Sequence, residues 1–139
     1  CNGMLDFKKL NDVCKLLTEG VSAYIATNPD YVCPTEFGSV PDCGSVCDMI
    51  YNATKKRPVV IGKPSPLMPQ LAMEALGIND SEACVVGDRI YTDIKSGLNA
   101  GITSVLVLSG ETTKEILDES EDKPHIVLDN AGQILEALK

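Results

Sequence analysis

ACVVGDRIYTDIKSGLNAGITSVLVLSG, residues 83–110, holds two short apolar runs on either side of an amphipathic segment. The first run, Ala83–Val86, halts at Gly87-Asp88, as a strand does when it enters a tight turn. Thr92–Ala100 then reads as a helix closed by Gly101, since glycine accepts the left-handed conformation that ends helices. The second run, Thr103–Leu108 (TSVLVL), is a strand ending at Ser109-Gly110. Strands this uniformly apolar are covered on both faces, and two strands joined through a helix lie parallel. The stretch therefore specifies an α/β class with a mainly parallel sheet.

The flanking chain repeats the arrangement. Upstream, Asp6 caps a helix whose face is Leu10, Val13, Cys14 and Leu17, and Gly20 stops it. Ser22–Thr27 (SAYIAT) is a strand ending in Asn28-Pro29-Asp30, and a Pro/Gly-containing loop is expected to about Asp42. Gly44–Lys55 reads as a helix with Val46, Met49, Ile50 and Ala53 on one side. Pro58–Ile61 is a strand ending in Gly62-Lys63-Pro64, and a helix follows with Ser65 as cap, Pro66 in its first turn and Gly77 past its end. Downstream come a helix over Thr112–Glu119, a strand over His125–Leu128 and a helix over Ala131–Lys139.

The chain has 139 residues, 44% of them hydrophobic, enough for about one domain. Its charge of -8 opposes a nucleic-acid or anionic-membrane partner, which needs clustered Lys and Arg. No apolar run approaches the ~20 residues that cross a bilayer. Six cysteines would suit a disulfide framework in a secreted chain, but Cys84 lies in an apolar run and Cys14 on a helix stripe, so buried or half-buried thiols in a reducing cytoplasm fit better. Cys33, Cys43 and Cys47 contain no CxxC pair and His125 is remote, which weakens a zinc reading. The start at Cys1, without an initiator Met or a following flexible tether, suggests a piece of a longer chain rather than a processed lipoprotein.

Sites in open α/β sheets form beyond the carboxyl ends of the strands, which singles out Asn28, Asp30, Lys63, Asp88 and, shortly after, Asp93. Asp88 and Asp93, five residues apart across a turn, can share one small volume, where a cation between them would relieve their repulsion. Mg²⁺ suits such a pair, because it takes few protein carboxylates and keeps waters and phosphate oxygens. Lys63 would supply the point charge that phosphoryl oxygens need. Blander readings stay open: Thr92 or Asp93 as a helix cap, Asp88 as the start of a turn, Lys63 as a solvated lysine, and Asn28-Pro29-Asp30 as a turn. His125 is expected to have no chemical role.

ATNPD (26–30), PDCGS (41–45), GKPSP (62–66), VVGDRIYTDI (85–94) and LVLSGETT (106–113), in that order over nearly the whole chain, resemble the second half of a haloacid-dehalogenase (HAD) superfamily phosphatase. The likeness is to the C2-capped, NagD-like or 4-nitrophenylphosphatase group. It implies residues 1–57 as the closing part of a C2-type cap and 58–139 as the closing part of a HAD-like, Rossmann-like core. It further implies Asp88 as a direct Mg²⁺ ligand, Asp93 as its acidic partner, and Lys63 as the lysine that binds phosphate and nucleophile. Asn28 and Asp30, with the loop 31–34, would approach a small phosphorylated metabolite.

The family's DxDG(T/V) motif, with its nucleophilic and general-acid aspartates, occurs nowhere in the chain. Covalent phosphoryl transfer needs that nucleophile, so the chain alone is expected to be inactive. The resemblance also implies that the strand over Ala83–Val86 has an unpaired, apolar edge, with self-association, a homodimer or a need for the N-terminal half as consequences. A non-catalytic module binding a phosphorylated ligand is the alternative. A receiver-type domain fits less well, since Lys63 precedes Asp88.

Overall fold

A computed structural model describes residues 5–137, so the reading of Cys1 and the end of the helix expected to reach Lys139 lie outside the described residues. Contacts divide the chain into Cys1–Gly62 and Lys63–Lys139.

In the first unit, α1 (Phe7–Glu19) starts where the Asp6 carboxylate accepts the Lys9 N–H at 2.8 Å and stops at Gly20, whose φ is 102°. Leu17 is buried on its apolar stripe, with Leu10, Val13 and Cys14 half-buried beside it. The strand expected over Ser22–Thr27 is reduced to β1 (Ile25–Ala26), paired in parallel with β4 (Val59–Val60). The β4 strand thus belongs with the first unit by its hydrogen bonds. Gly62 follows it so closely against the Thr27 carbonyl that a Cβ would lie 1.8 Å from the oxygen.

The segment expected to be a loop, 31–42, is instead a hairpin of β2 (Val32–Thr35) and β3 (Gly38–Pro41), antiparallel with Val32 opposite Pro41 and Thr35 opposite Gly38. Pro34 and Pro41 argue against a central strand, but a two-stranded ribbon has only edges, where a missing N–H costs nothing if it faces outward. Gly38, at φ 136°, closes the turn. The α2 helix (Cys43–Thr54) is capped by Asp42, whose carboxylate accepts the Cys43 N–H, and it ends at Lys55 in the left-handed region. Of its expected apolar side only Ile50 is buried; Met49 and Ala53 are exposed.

The second unit opens with α3 (Leu67–Leu76), which ends on the left-handed Gly77. Its sheet is parallel, in the order β5 (Cys84–Gly87), β6 (Thr103–Val107), β7 (Ile126–Leu128). The protein is therefore α/β with parallel pairing, as the alternation requires. The helix expected over Thr92–Ala100 begins as a π-helical turn, Ile90–Ile94, and becomes α4 only over Lys95–Ala100. Ile90, Ile94 and Leu106 form the core, with Leu98, Leu108 and Leu117 against it. The α5 helix (Lys114–Glu119), a 3₁₀ turn and α6 (Ile134–Ala137) complete the described chain.

Central β6 is buried from Ser104 to Val107. By contrast β5 pairs on one side only among the described residues, and Cys84, expected to be a buried or half-buried thiol, is exposed on it. Cys84 shares one face of β5 with Val86, which is exposed as well, so that face of the strand is open among the described residues. Cys14, Cys33, Cys43 and Cys47 are free and half-buried.

Candidate active site

The second unit gathers its candidates at the carboxyl ends of β5 and β6. Asp93, five residues past Asp88 but folded back by the π-helical turn, is only 6% exposed. Its Oδ1 accepts the Lys63 ammonium at 2.5 Å and its Oδ2 accepts the Arg89 N–H at 3.2 Å. Asp93 is thus not spent as a cap of α4. Thr92 does not cap either: it is buried and its Oγ1 has no hydrogen-bond partner. A π-helical turn inserts one residue into the helical repeat, a local distortion that recurs at functional sites. Here it directs Asp93 toward the sheet.

Lys63 is half exposed while its partner is buried, so the ammonium presents charge to solvent from a fixed base. A buried carboxylate needs such a partner, since an unpaired buried charge is costly. The pairing joins residues 30 apart in sequence.

Asp88 is held differently. Its Oδ2 accepts the Glu111 N–H at 2.8 Å and its carbonyl accepts the Thr112 N–H at 3.1 Å, both from the loop after β6. Oδ1 is the oxygen left for a cation. Glycines make both arrangements possible. A Cβ on Gly87 would stand 2.2 Å from the Asp93 Cβ, and one on Gly110 would stand 2.1 Å from the Asp88 Oδ2. The two strand-end glycines are therefore spaces occupied by the two carboxylates.

No group of three or more His, Cys, Asp or Glu among the described residues could hold an ion. The donor set is one open carboxylate oxygen, on Asp88, with Asp93 committed to Lys63 and a main-chain N–H. That is a poor set for zinc or calcium. It fits part of a magnesium shell, which needs few protein carboxylates and is completed by water and phosphate oxygens.

Asn28 and Asp30 lie together in the first unit. The Asn28 Oδ1 accepts the Asp30 N–H at 3.0 Å, closing the turn that the Pro29 context suggests, and the Asp30 carbonyl accepts the Gly44 N–H. The structure thus joins Lys63 to Asp93 and Asn28 to Asp30, each pair within its own unit. Beside the latter, Thr27 Oγ1 donates to the Cys43 sulfur at 3.7 Å. Burial pushes the Cys43 thiol up, but the Asn28 and Thr27 N–H groups and the Thr27 hydroxyl outweigh it and leave its pKa lowered. For Cys47, burial prevails and raises the thiol.

Sequence reasoning missed Arg89, Tyr91 and Glu111. The Glu111 carboxylate accepts the Arg89 Nε at 2.5 Å and the Tyr91 hydroxyl at 3.0 Å. Only the proximity of Arg89 and Tyr91 to Asp88 in sequence hinted at them. His125, given no chemical role, has a structural one: its Nδ1 faces the Ser104 N–H at 3.1 Å and hydroxyl at 2.9 Å, on a Ser104 with no exposure.

A family model described as HAD-hydrolase-like matches residues 60–134. The chain is 36% identical over 126 residues to the 5'-nucleotidase YutF of Bacillus subtilis, covering 91% of this chain and 49% of that protein. It is 40% identical over 104 residues to a dihydroxyacetone phosphatase of Corynebacterium glutamicum, covering 75% and 38%. A solved 4-nitrophenylphosphatase from Thermotoga maritima superposes with a TM-score of 0.85 at 43% identity, over 99% of this chain and 52% of that one. The chain spans about half the length, or less, of the curated relatives it matches.

Proposed function

This chain belongs to the HAD-hydrolase-like family, and on that footing we propose that it is the C-terminal portion of a magnesium-dependent phosphomonoester hydrolase. Its substrates are small phosphorylated metabolites of the nucleotide or sugar phosphate kind. The observation that carries the reading is the Lys63 ammonium seated on buried Asp93 beside Asp88 at the strand ends. The relatives named as phosphatases support it.

The chain's own residues have distinct tasks. Lys63, fixed by Asp93, offsets the negative charge on the non-bridging phosphate oxygens, where charge-assisted hydrogen bonds are strongest. Asp93 sets the position of that ammonium and holds the peptide after Asp88 through the Arg89 N–H. Asp88, with Asp93 behind it, would hold magnesium. When bound, the ion supplies Lewis-acid stabilisation of the phosphoryl oxygens. The nucleophilic aspartate that takes the phosphoryl group, and the acid that protonates the leaving alcohol, come in this proposal from the part of the family's length that the chain does not span.

Residues 1–57, extended to Gly62 by the pairing of β1 with β4, are proposed as the closing part of a C2-type cap, and the remainder as the closing part of the core. Asn28 and Asp30 would approach the substrate from the cap. The acidic balance disfavours nucleic acid and anionic membranes, and the free thiols support a reducing, cytoplasmic setting. Association is expected as a homodimer or with the N-terminal half.

The test is hydrolysis of p-nitrophenyl phosphate by an intact enzyme carrying this sequence, with and without Mg²⁺. Asp88→Asn and Lys63→Ala should each remove most of the activity. Wild-type rates in both variants would overturn the assignment of the site to these residues, and phosphate binding without any hydrolysis by the parent would replace the reading with a non-catalytic one.

A further inference from the structure

We propose that Glu111 is a positioning residue for Asp88, acting through a closed clamp that Arg89 and Tyr91 complete. The clamp begins and ends at the same carboxylate. From Asp88 the chain runs directly to Arg89 and Tyr91, whose side chains grip the Glu111 carboxylate, one on each oxygen: Nε to Oε2 at 2.5 Å and the hydroxyl to Oε1 at 3.0 Å. The main-chain N–H of the same Glu111 then returns to Asp88 Oδ2 at 2.8 Å. The next N–H, of Thr112, holds the Asp88 carbonyl at 3.1 Å, and Thr112 itself is buried. Gly110 lies flat against the carboxylate, too close for any Cβ.

The three consecutive residues 110–112 therefore form the wall on which Asp88 rests, and the Glu111 side chain ties that wall to the β5 loop through Arg89 and Tyr91. Arg89 and Glu111 are each about two-fifths exposed, at 41% and 43%. Pairs so exposed contribute little to stability. What this one does is geometric. With Oδ2 held by the Glu111 N–H, turning the carboxylate of Asp88 would cost that bond, which favours one placement of Oδ1. A hard cation with strict octahedral demands gains most from a ligand oxygen that is already in position. The inference rests on the reading of Asp88 as the magnesium ligand given above.

Removing Glu111 should leave the fold nearly intact and weaken the cation. Residues that orient a metal ligand from outside typically account for about 10–100-fold in metal affinity. Glu111 acts through its own peptide group, so the lower figure is expected. In an intact enzyme carrying this sequence, Mg²⁺ is titrated calorimetrically without substrate, and kcat is measured at rising Mg²⁺. Glu111→Ala should weaken Mg²⁺ binding about 10-fold while kcat at saturating Mg²⁺ and the urea midpoint stay near wild type. Glu111→Gln, which keeps the length and one acceptor oxygen, should recover most of the affinity. Asp88→Asn is the companion variant. If Asp88→Asn leaves Mg²⁺ binding unchanged, the magnesium reading itself fails. If Asp88→Asn abolishes binding but Glu111→Ala stays within about twofold of wild type, or Glu111→Gln recovers nothing, the clamp proposal alone is overturned.

Discussion

Replacing Gly87 by alanine tests the arrangement of the site through the sign of a stability change. Gly87 is not among the glycines with positive φ, so its backbone accepts an L side chain. Without obstruction, a Gly→Ala change at such a position stabilises by about 0.4–1 kcal/mol through the unfolded state. Here the new Cβ would meet the Cβ, Cγ and Oδ2 of Asp93 at 2.2, 2.4 and 2.5 Å. Carbon contacts are comfortable at about 3.5–4.0 Å, so Asp93 must retreat by more than about 1 Å. Such a retreat breaks the 2.5 Å bond from Lys63 and the 3.2 Å bond from the Arg89 N–H. Hydrogen bonds to charged groups contribute about 1.5–3 kcal/mol each, and the exposed ammonium discounts one of them. The net loss is about 1–3 kcal/mol, a shift of the urea midpoint by about 1 M.

The assay is urea unfolding followed by circular dichroism, at a concentration where sedimentation shows one species. The same substitution is then made in an Asp93→Gly background, where all three clashing atoms are gone. There it should be neutral or stabilising. Gly87→Ala equal to or more stable than the parent in the native background would refute the reasoning. In the intact enzyme the displaced Asp93 and Lys63 should lower kcat by about 100-fold, a loss that a 1 Å misplacement can cause.

Three further outcomes are expected. Iodoacetamide should alkylate Cys43 before Cys47, read by peptide mass spectrometry, because N–H groups lower the first thiol while burial raises the second; equal rates would contradict the local electrostatics. Tyr24, raised from 10.0 to about 12 chiefly by burial and then by the Cys47 thiol, should give a late tyrosinate transition that Tyr24→Phe removes. The unfolded chain loses that proton first, so the contribution of Tyr24 to stability is complete below about pH 10 and falls away as pH rises toward 12; a stability profile unchanged by Tyr24→Phe over that window would contradict it. Finally, among the described residues β5 pairs on one side only and exposes Cys84 and Val86, so the 139-residue chain should self-associate with concentration, and Val86→Lys should reduce this. A monodisperse, cooperatively unfolding monomer at every concentration would count against the edge.

The amino-acid sequence by itself determined the features whose causes are local. Asp6 and Asp42 accept main-chain N–H groups at helix starts, and Gly20, Gly77 and Gly101 sit at helix ends with positive φ. Short apolar runs joined through helices specified the parallel pairing of β5, β6 and β7, but the cover expected on both faces is found only on β6, since β5 and β7 keep exposed residues. Strand-end position singled out Lys63 and Asp88, and the five-residue spacing from Asp88 added Asp93. Only the tertiary structure decided what these residues do to one another. Lys63 reaches Asp93 across 30 residues, and Glu111 reaches Asp88 across 23. The hairpin over 32–41 escaped notice because its prolines are tolerable only when both strands are edges, a property of the sheet and not of the segment. The π-helical turn at Ile90–Ile94 escaped because the sequence carries no mark of one extra residue per turn. Caps and periodicity act over a few residues and are written in the chain. A buried carboxylate's partner, and the glycine that makes room for it, are settled only when distant segments compete for the same few ångströms.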